Sequence, residues 1–244
     1  MFRMTRSPAS LLAAVPALLL SGAAHAVVVL GAGDSINLGT LLQSEDRTVI
    51  VADKMFVFRT FTTSQFDSNL FSVIGFVSTA TNQWGLRNVG FDITGPFGDA
   101  TPGNQTFAEM NLQYTVSVLP EFYDRGVRLH DCRLTFNGSA GGGGSFARVD
   151  ESVTDLDRNA FLGQMSAFYN ANDPDQVQYV DALDFSPNGY RAFEVNKDIK
   201  FFANGDEDFA TASFIRQEFS QVPAPGAIAL MGLGGFAAMR RRRA

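Results

Sequence analysis

Asn111-Leu112-Gln113-Tyr114-Thr115-Val116-Ser117-Val118 alternates strictly between polar and apolar side chains. Successive side chains of an extended chain point to opposite faces. Leu112, Tyr114, Val116 and Val118 therefore share one face, and Asn111, Gln113, Thr115 and Ser117 share the other. That is the pattern of a strand with one face in a core and one in water. The rhythm recurs. Residues 127–136 place Cys132, Leu134 and Phe136 on a common side, and Val89, Phe91 and Ile93 alternate with Asn88, Gly90 and Asp92. Residues 48–51, 55–61, 70–78, 146–153 and 209–219 read as further strands. Turn chemistry separates them at Thr94-Gly95-Pro96, Thr101-Pro102-Gly103-Asn104 and Asn137-Gly138. Residues 139–145, with four successive glycines, read as a flexible loop joining two strands of a hairpin. One short helix is expected in 155–169, where capping residues accompany apolar positions at Leu156, Ala160, Phe161 and Met165. Most strands precede Val153, with fewer between Gln176 and Phe219. The expected fold is all-β: an antiparallel β-sandwich of about 8–10 strands with long loops, flanked by an N-terminal signal helix and a C-terminal sorting helix.

The ends of the chain carry different text. Arg3 and Arg6 precede an apolar run over 11–20, and Ala24-His25-Ala26 supplies a small-x-small cleavage pattern. That order marks a secretory signal peptide over 1–26, cut after Ala26 by signal peptidase. At the other end Val222-Pro223-Ala224-Pro225 interrupts regular structure, because each proline removes an N–H donor. Residues 226–239 hold no charge, and Arg240, Arg241, Arg242 and Arg243 follow. Four arginines stop a segment from crossing and hold it on the cytoplasmic side. The apolar segment is short for a bilayer, which suits a temporary stop. The expected division is signal peptide 1–26, secreted domain 27–221 and tail 222–244.

Six of the nineteen basic residues lie in those two ends, whereas all twenty-five acids lie between them. The body thus carries thirteen bases against twenty-five acids, a net charge of −12. Such a surface repels nucleic acid and anionic lipid, and it suits binding of cations or simple solubility outside the cell. Cys132 is the single cysteine, so no intramolecular disulfide forms. Twenty-three Phe against one Trp, with Thr- and Ser-rich text, favours β-structure.

The Val222–Pro225 motif, the short apolar segment and the terminal arginine cluster together resemble the PEP-CTERM sorting signal of Gram-negative bacteria. Pro223-Ala224-Pro225 stands where that signal has Pro-Glu-Pro. The resemblance implies a membrane-anchored intermediate, cleavage near Pro225 by the protease-transpeptidase exosortase, and release or transfer to the cell surface. The body is similar to a recurrent group of PEP-CTERM exoproteins, through Asp53-Lys54-x-Phe56, the Leu112-x-Tyr114-x-Val116 strand, Ala147 to Val153, and Phe214-Ile215-x-Gln217-x-Phe219-Ser220-Gln221. This second resemblance implies a fold and a destination, without a reaction.

No convincing catalytic set appears. Gly31-Ala32-Gly33 imitates a dinucleotide fingerprint, but Ile36 stands at the third glycine position and no helical pattern follows. His130 and Cys132 share a strand face as i and i+2, too far apart for a dyad, and Cys132 sits in apolar text that buries a thiol. With His130 the body's only histidine, a two-histidine zinc site is excluded. Acids cluster at Asp150, Glu151, Asp155 and Asp157, at Asp173 and Asp175, and at 204–208. Solvated acidic loops account for them; calcium is the one candidate cofactor, with Asn204, Asp206 and Asp208 as candidate ligands. Paired carboxylates for glycoside hydrolysis depend on spatial separation that sequence does not give. Trp84, Tyr123, Tyr169, Tyr179 and Tyr190 are candidates for a sugar-stacking platform. The expected role is a non-enzymatic structural or adhesive component of the cell surface, extracellular matrix or biofilm, with exopolysaccharide as candidate partner. The alternatives are an extracellular carbohydrate-active hydrolase and a calcium-dependent carbohydrate-binding module.

Overall fold

The computed structural model describes residues 27–82, 85–185 and 188–223, where period-two text becomes two stacked sheets. The first contains β1 (Val28–Leu30), β3 (Thr48–Val51), β4 (Lys54–Thr63), β7 (Ala108–Val118), β10 (Phe146–Asp155), β11 (Ala160–Asn170) and β13 (Ala192–Phe202). Its order is β1-β3-β4-β7-β13-β10-β11. The second contains β2 (Ser35–Asn37), β5 (Ser72–Thr81), β6 (Arg87–Gly98), β8 (Val127–Phe136), β12 (Val180–Asp184) and β14 (Phe209–Pro223). Its order is β12-β8-β14-β6-β5-β2, with β9 (Ser139–Gly141) pairing β14 off that path. The strands run antiparallel to their partners, save β1, which lies parallel to β3. Two short helices, α1 (Leu38–Gln43) and α2 (Pro120–Tyr123), sit in the connections. The all-β sandwich read from the sequence is the fold. The fourteen strands among the described residues exceed the expected number because β1, β2, β9 and β12 are only three to five residues long, too brief to display a period, and because β11 and β13 escaped the alternation.

Four local expectations are corrected. Residues 155–169 form no helix: Asn159, at φ 51°, turns the chain from β10 into β11. Met165 and Ala167 then face the core, while Phe161 is 67% exposed. Thr94-Gly95-Pro96 lies inside β6, where the register to β14 slips between Ala212 and Phe214. A β-bulge admits Gly and Pro within a strand. Residues 139–145 do not close a hairpin, since β8 and β10 belong to different sheets and the segment crosses between them. The fourth is β13, a central strand absent from the sequence reading. Its inward row is Phe193, Val195, Lys197, Ile199 and Phe201, and the lysine at its centre disguises the alternation.

Aromatic rings fill the space between the sheets. Phe56, Phe58, Phe91 and Tyr114 form one group, with Phe56 edge-on to Phe91 at 5.1 Å. Phe66, Phe71, Phe97 and Phe201 form another, with Phe71 and Phe97 at 4.7 Å. Edge-to-face and tilted contacts suit the ring quadrupole and add about 0.5–1.5 kcal/mol per pair beyond burial.

Ionic groups lie within this apolar interior. Lys197 is 2% exposed and ion-pairs with Glu151 on the neighbouring β10, while its Nζ also donates to Gln217 Oε1 on β14 at 2.8 Å. Gln217 Nε2 donates to the Cys132 Sγ at 2.8 Å and to the Arg133 carbonyl at 3.2 Å. The Cys132 thiol donates to Glu151 Oε1 at 3.4 Å. Lys54, fully buried, donates to Asp53 at 3.0 Å and to Gln221 Oε1 at 2.8 Å. Burial lowers the Lys54 pKa, opposed by Asp53 and Asp131. Each buried lysine of the first sheet is therefore held by one carboxylate and by one glutamine of β14. Removing one member of a buried pair leaves an uncompensated charge and costs about 3–5 kcal/mol, whereas replacing both with apolar groups is often neutral. Lys197→Met should lower the unfolding free energy by about that amount in urea titration, and Glu151→Leu/Lys197→Met should recover at least half of the loss. A double variant no more stable than the single one would contradict the pairing.

Candidate functional site

The outward face of the first sheet is polar, because the residues opposite its apolar rows are amides, hydroxyls and charges. Register aligns them across five strands. Thr60, Gln113, Asn196, Ser152 and Gln164 form one row, since Gln113 opposes Thr60 and Asn196, and Ser152 opposes Asn196 and Gln164. The next row runs Thr62, Asn111, Asp198, Asp150 and Ser166. These rows, save Thr62 and Ser166 at the ends of the second, line an open groove of about 380 Å³. Thr60 Oγ1 donates to Gln113 Oε1 at 3.1 Å, and Ser166 Oγ donates to Asp150 at 2.8 Å.

Asp150 and Asp198 oppose each other directly, which places their Cβ atoms about 4.5–5.5 Å apart, a destabilising arrangement for like charges. Cations one row along offset it. Arg148 grips Asp150 with two hydrogen bonds of 2.6 and 2.8 Å. Lys200 pairs with Asp198 and stands 3.4 Å from Glu109. Burial nonetheless pushes the Asp198 carboxyl up, with Lys200 pulling it down and Glu109 raising it. One Asp198 oxygen is buried without a hydrogen-bond partner. Beyond the charges lies an apolar shelf: Phe107, 46% exposed, packs on Phe202 at 5.2 Å and on Phe146 at 5.8 Å. Arg148 reaches over Phe168 at 6.0 Å on its flank.

The residues singled out in the sequence are dispersed. Asp150 reaches the groove, but Glu151 points into the core and Asp155 is buried at the end of β10. Asp208, with Asn204, braces the glycine loop: its carboxylate accepts from the Gly205 N–H at 2.8 Å and the Ser145 hydroxyl at 3.2 Å. Asn204 Nδ2 donates to the Gly143 carbonyl at 2.7 Å. Asp206 lies against Gly103, whose φ of 77° and lack of a side chain permit the approach. Among the described residues, no three or more His, Cys, Asp or Glu side chains converge in a way that could hold a metal ion. Tyr123 is covered by Arg128, Tyr190 packs on Phe185 and Phe193, and Tyr169 packs at the margin of the core, so these three form no common platform, while Tyr179 is 44% exposed. Trp84 lies outside the described residues, as do Ala24, Ala26, Ala224, Pro225 and the arginine cluster. The phenylalanine shelf escaped the sequence reading, because Phe107, Phe146 and Phe202 converge only through register.

A β-bulge separates His130 from the expected shared face with Cys132. β14 opposes Ser220 to Asp131 and Gln221 to Leu129, so Leu129 and Cys132, three residues apart, both turn inward. Burial, then Glu151, push the Cys132 thiol well above its usual value.

The far ends of the strands show a charge asymmetry. The connections at 64–71, 99–107, 137–145, 171–179 and 203–208 hold seven carboxylates and no Lys or Arg. The opposite end, where β14 finishes, carries Arg87, Arg125, Arg128, Arg158 and Arg191. At that end β14 includes Val222 and Pro223, paired with Arg128 and Val127. No helix among the described residues is long and apolar enough to cross a membrane.

Residues 221–243 match the PEP-CTERM protein-sorting motif. No curated protein sequence matches the chain. Among solved structures it is similar to TmCBM61 in complex with β-1,4-galactotriose, at 10% identity and TM-score 0.29 over 66% of this chain and 86% of that one. It is also similar to a CBM4 structure, at 13% identity and TM-score 0.22 over 61% and 77% of the two chains. A DUF4465 family protein from Bacteroides caccae gives 9% identity and TM-score 0.23 over 75% and 98%.

The buried thiol gives a pH test. The folded pKa is raised, so its stabilising contribution is complete below the unfolded value of 9.0 and is lost as pH rises toward the folded value. Between pH 9 and 10 stability should fall by up to about 1.4 kcal/mol per pH unit through this group. Lys54, lowered from 10.5, acts in the opposite sense over that window. The difference between the wild type and Cys132→Ala in denaturant titrations isolates the thiol, and parallel profiles would exclude its protonated burial.

Proposed function

We propose that the body is a glycan-binding module of the cell surface or extracellular polysaccharide matrix, delivered there by exosortase processing of its tail. The PEP-CTERM motif marks an exported, exosortase-sorted protein, secreted or placed on the surface of an exosortase-bearing bacterium. The observation that carries the binding function is the groove. Amides and hydroxyls of Gln113, Asn196, Ser152 and Gln164 supply both donors and acceptors for vicinal sugar hydroxyls. The Phe107–Phe146–Phe202 shelf offers the flat apolar surface on which the C–H face of a sugar packs. Arg148 and Lys200 offset the groove's carboxylates, which favours neutral glycans over anionic ones.

A second reading has its own support. Asp150 and Asp198 are opposed carboxylates in a groove, and burial raises Asp198. Diverging environments for two such groups are what glycoside hydrolysis uses. The salt bridges to Arg148 and Lys200 favour binding, since each carboxylate already has a cation to satisfy. Reducing-end release from bound polysaccharide, abolished in Asp198→Asn, would establish hydrolysis instead.

Retention on the host's own exopolysaccharide is the direct test. Gln113→Ala/Asn196→Ala should weaken it roughly tenfold, for two hydrogen bonds of about 0.5–1.5 kcal/mol each. Absence of wild-type retention, with and without calcium, would sink the reading. Delivery is tested separately by mass spectrometry of the surface and culture fractions. The mature chain should begin at Val27 and end near Pro225, and a mature protein still carrying Arg240–Arg243 would overturn processing.

A further inference from the structure

The geometry points to the β14 end of the sandwich as a docking surface for the phospholipid headgroup layer. This rests on reading residues 221–243 as a sorting tail whose apolar part enters the membrane, and on nothing in the groove.

The first observation is a tether without slack. The sorting motif begins inside the fold: Gln221 is 5% and Val222 2% exposed. Gln221 is clamped three times, by Lys54 Nζ at 2.8 Å, by its own amide on the Arg87 carbonyl at 3.0 Å, and by Asn82 Nδ2 on its backbone oxygen at 2.8 Å. Pro223 still pairs with Val127. Only Ala224 and Pro225 separate it from the uncharged stretch that starts at Gly226. Three residues span at most about 10 Å when fully extended. A folded body whose tail has entered the bilayer is therefore pressed into the headgroup region, end first.

The second observation is the chemistry of that end. Arg128, the cross-strand partner of Val222, lies 3.4 Å over the Tyr123 ring, and Arg191 approaches the same ring at 5.6 Å. Arg125 lies 5.9 Å from Phe122. Guanidinium groups bind phosphate oxygens, and aromatic side chains settle at headgroup depth. Glu121, Asp124, Asp157 and Asp184 lie at this end too, with Asp155 beside Arg158 and Asp53 beside Lys54, leaving it near neutral, whereas the body carries −12 and the far loops are wholly acidic. This end thus meets phosphates with the least repulsion.

The test reconstitutes the full-length chain in phosphatidylglycerol-containing vesicles, in phosphatidylcholine vesicles and in maltoside micelles, which lack phosphate. Amide exchange in residues 119–128 is then followed. Exchange should be at least about fivefold slower in the phosphatidylglycerol vesicles than in micelles, an arginine near the surface contributing about 1 kcal/mol. Arg125→Ala/Arg191→Ala should return it toward the micelle rate while the chain still floats with the vesicles. Equal rates in vesicles and micelles, with the chain floating, would overturn the docking surface alone. A wild-type chain that fails to float would overturn the tail reading beneath it.

Discussion

Lys197 is the constraint around which the sandwich is organised. A lysine at the centre of an otherwise apolar row tolerates few arrangements. A one-residue slip of β13 would carry Lys197 to the water face and leave Glu151 charged and alone. Buried ion pairs add little net stability over apolar packing, but they penalise wrong registers heavily. The pair joins β13 to β10 within one sheet, and Gln217 extends it to β14 in the other. Lys54, Asp53 and Gln221 repeat the device nearer the end of β14. Two cations in the first sheet and two glutamines four residues apart in the second thus align the layers in depth as well as in register.

These contacts give physical meaning to three separate stretches of the body's sequence. Asp53-Lys54 supplies one buried cation with its carboxylate, and Glu151 in the Ala147–Val153 text is the carboxylate of the other. The stretch from Phe214 to Gln221 supplies both glutamine acceptors, with Ile215 and Phe219 buried on either side of Gln217. Gln217, Phe219 and Gln221 alternate strictly along β14, and the extra residue at the register shift between Ser220 and Gln221 lies on β8. The elements lie far apart in sequence and meet at one seam between the sheets.

Strands whose inward rows are apolar were legible from alternation alone: β7 and β8 lie within a few residues of their expected bounds, as does β10, whose row stays apolar up to Glu151. β13 was hidden by Lys197, and β11 by Phe161 and Leu156, apolar residues that the structure leaves in water. The crossing of residues 139–145 between sheets was illegible for another reason, because glycine text specifies a turn without specifying which strands it joins. The groove follows the same logic. Each polar row is written in five strands, one residue per strand, so Thr60, Gln113, Asn196, Ser152 and Gln164 become a surface only once register is known. The sequence did contain half of the signal, in the polar partners Asn111 and Gln113 of the apolar row that revealed β7.

The same register links the groove to the sorting motif. Groove and core are opposite faces of β13 and β10, so Asp198 and Asp150 are set by the residues beside them, Lys197 and Glu151. Whatever holds the buried pair in register also holds the groove carboxylates opposite each other. β14 extends that dependence to the tail, since Gln217 completes the Lys197 site and Gln221, four residues on, opens the sorting motif. A cut near Pro225 spares both glutamines, whereas one a few residues earlier would remove one of the two Lys54 acceptors and leave Asp53 alone to hold the buried cation. The position of the sorting motif is thus bounded on one side by the uncharged stretch from Gly226 and on the other by the electrostatics of the core.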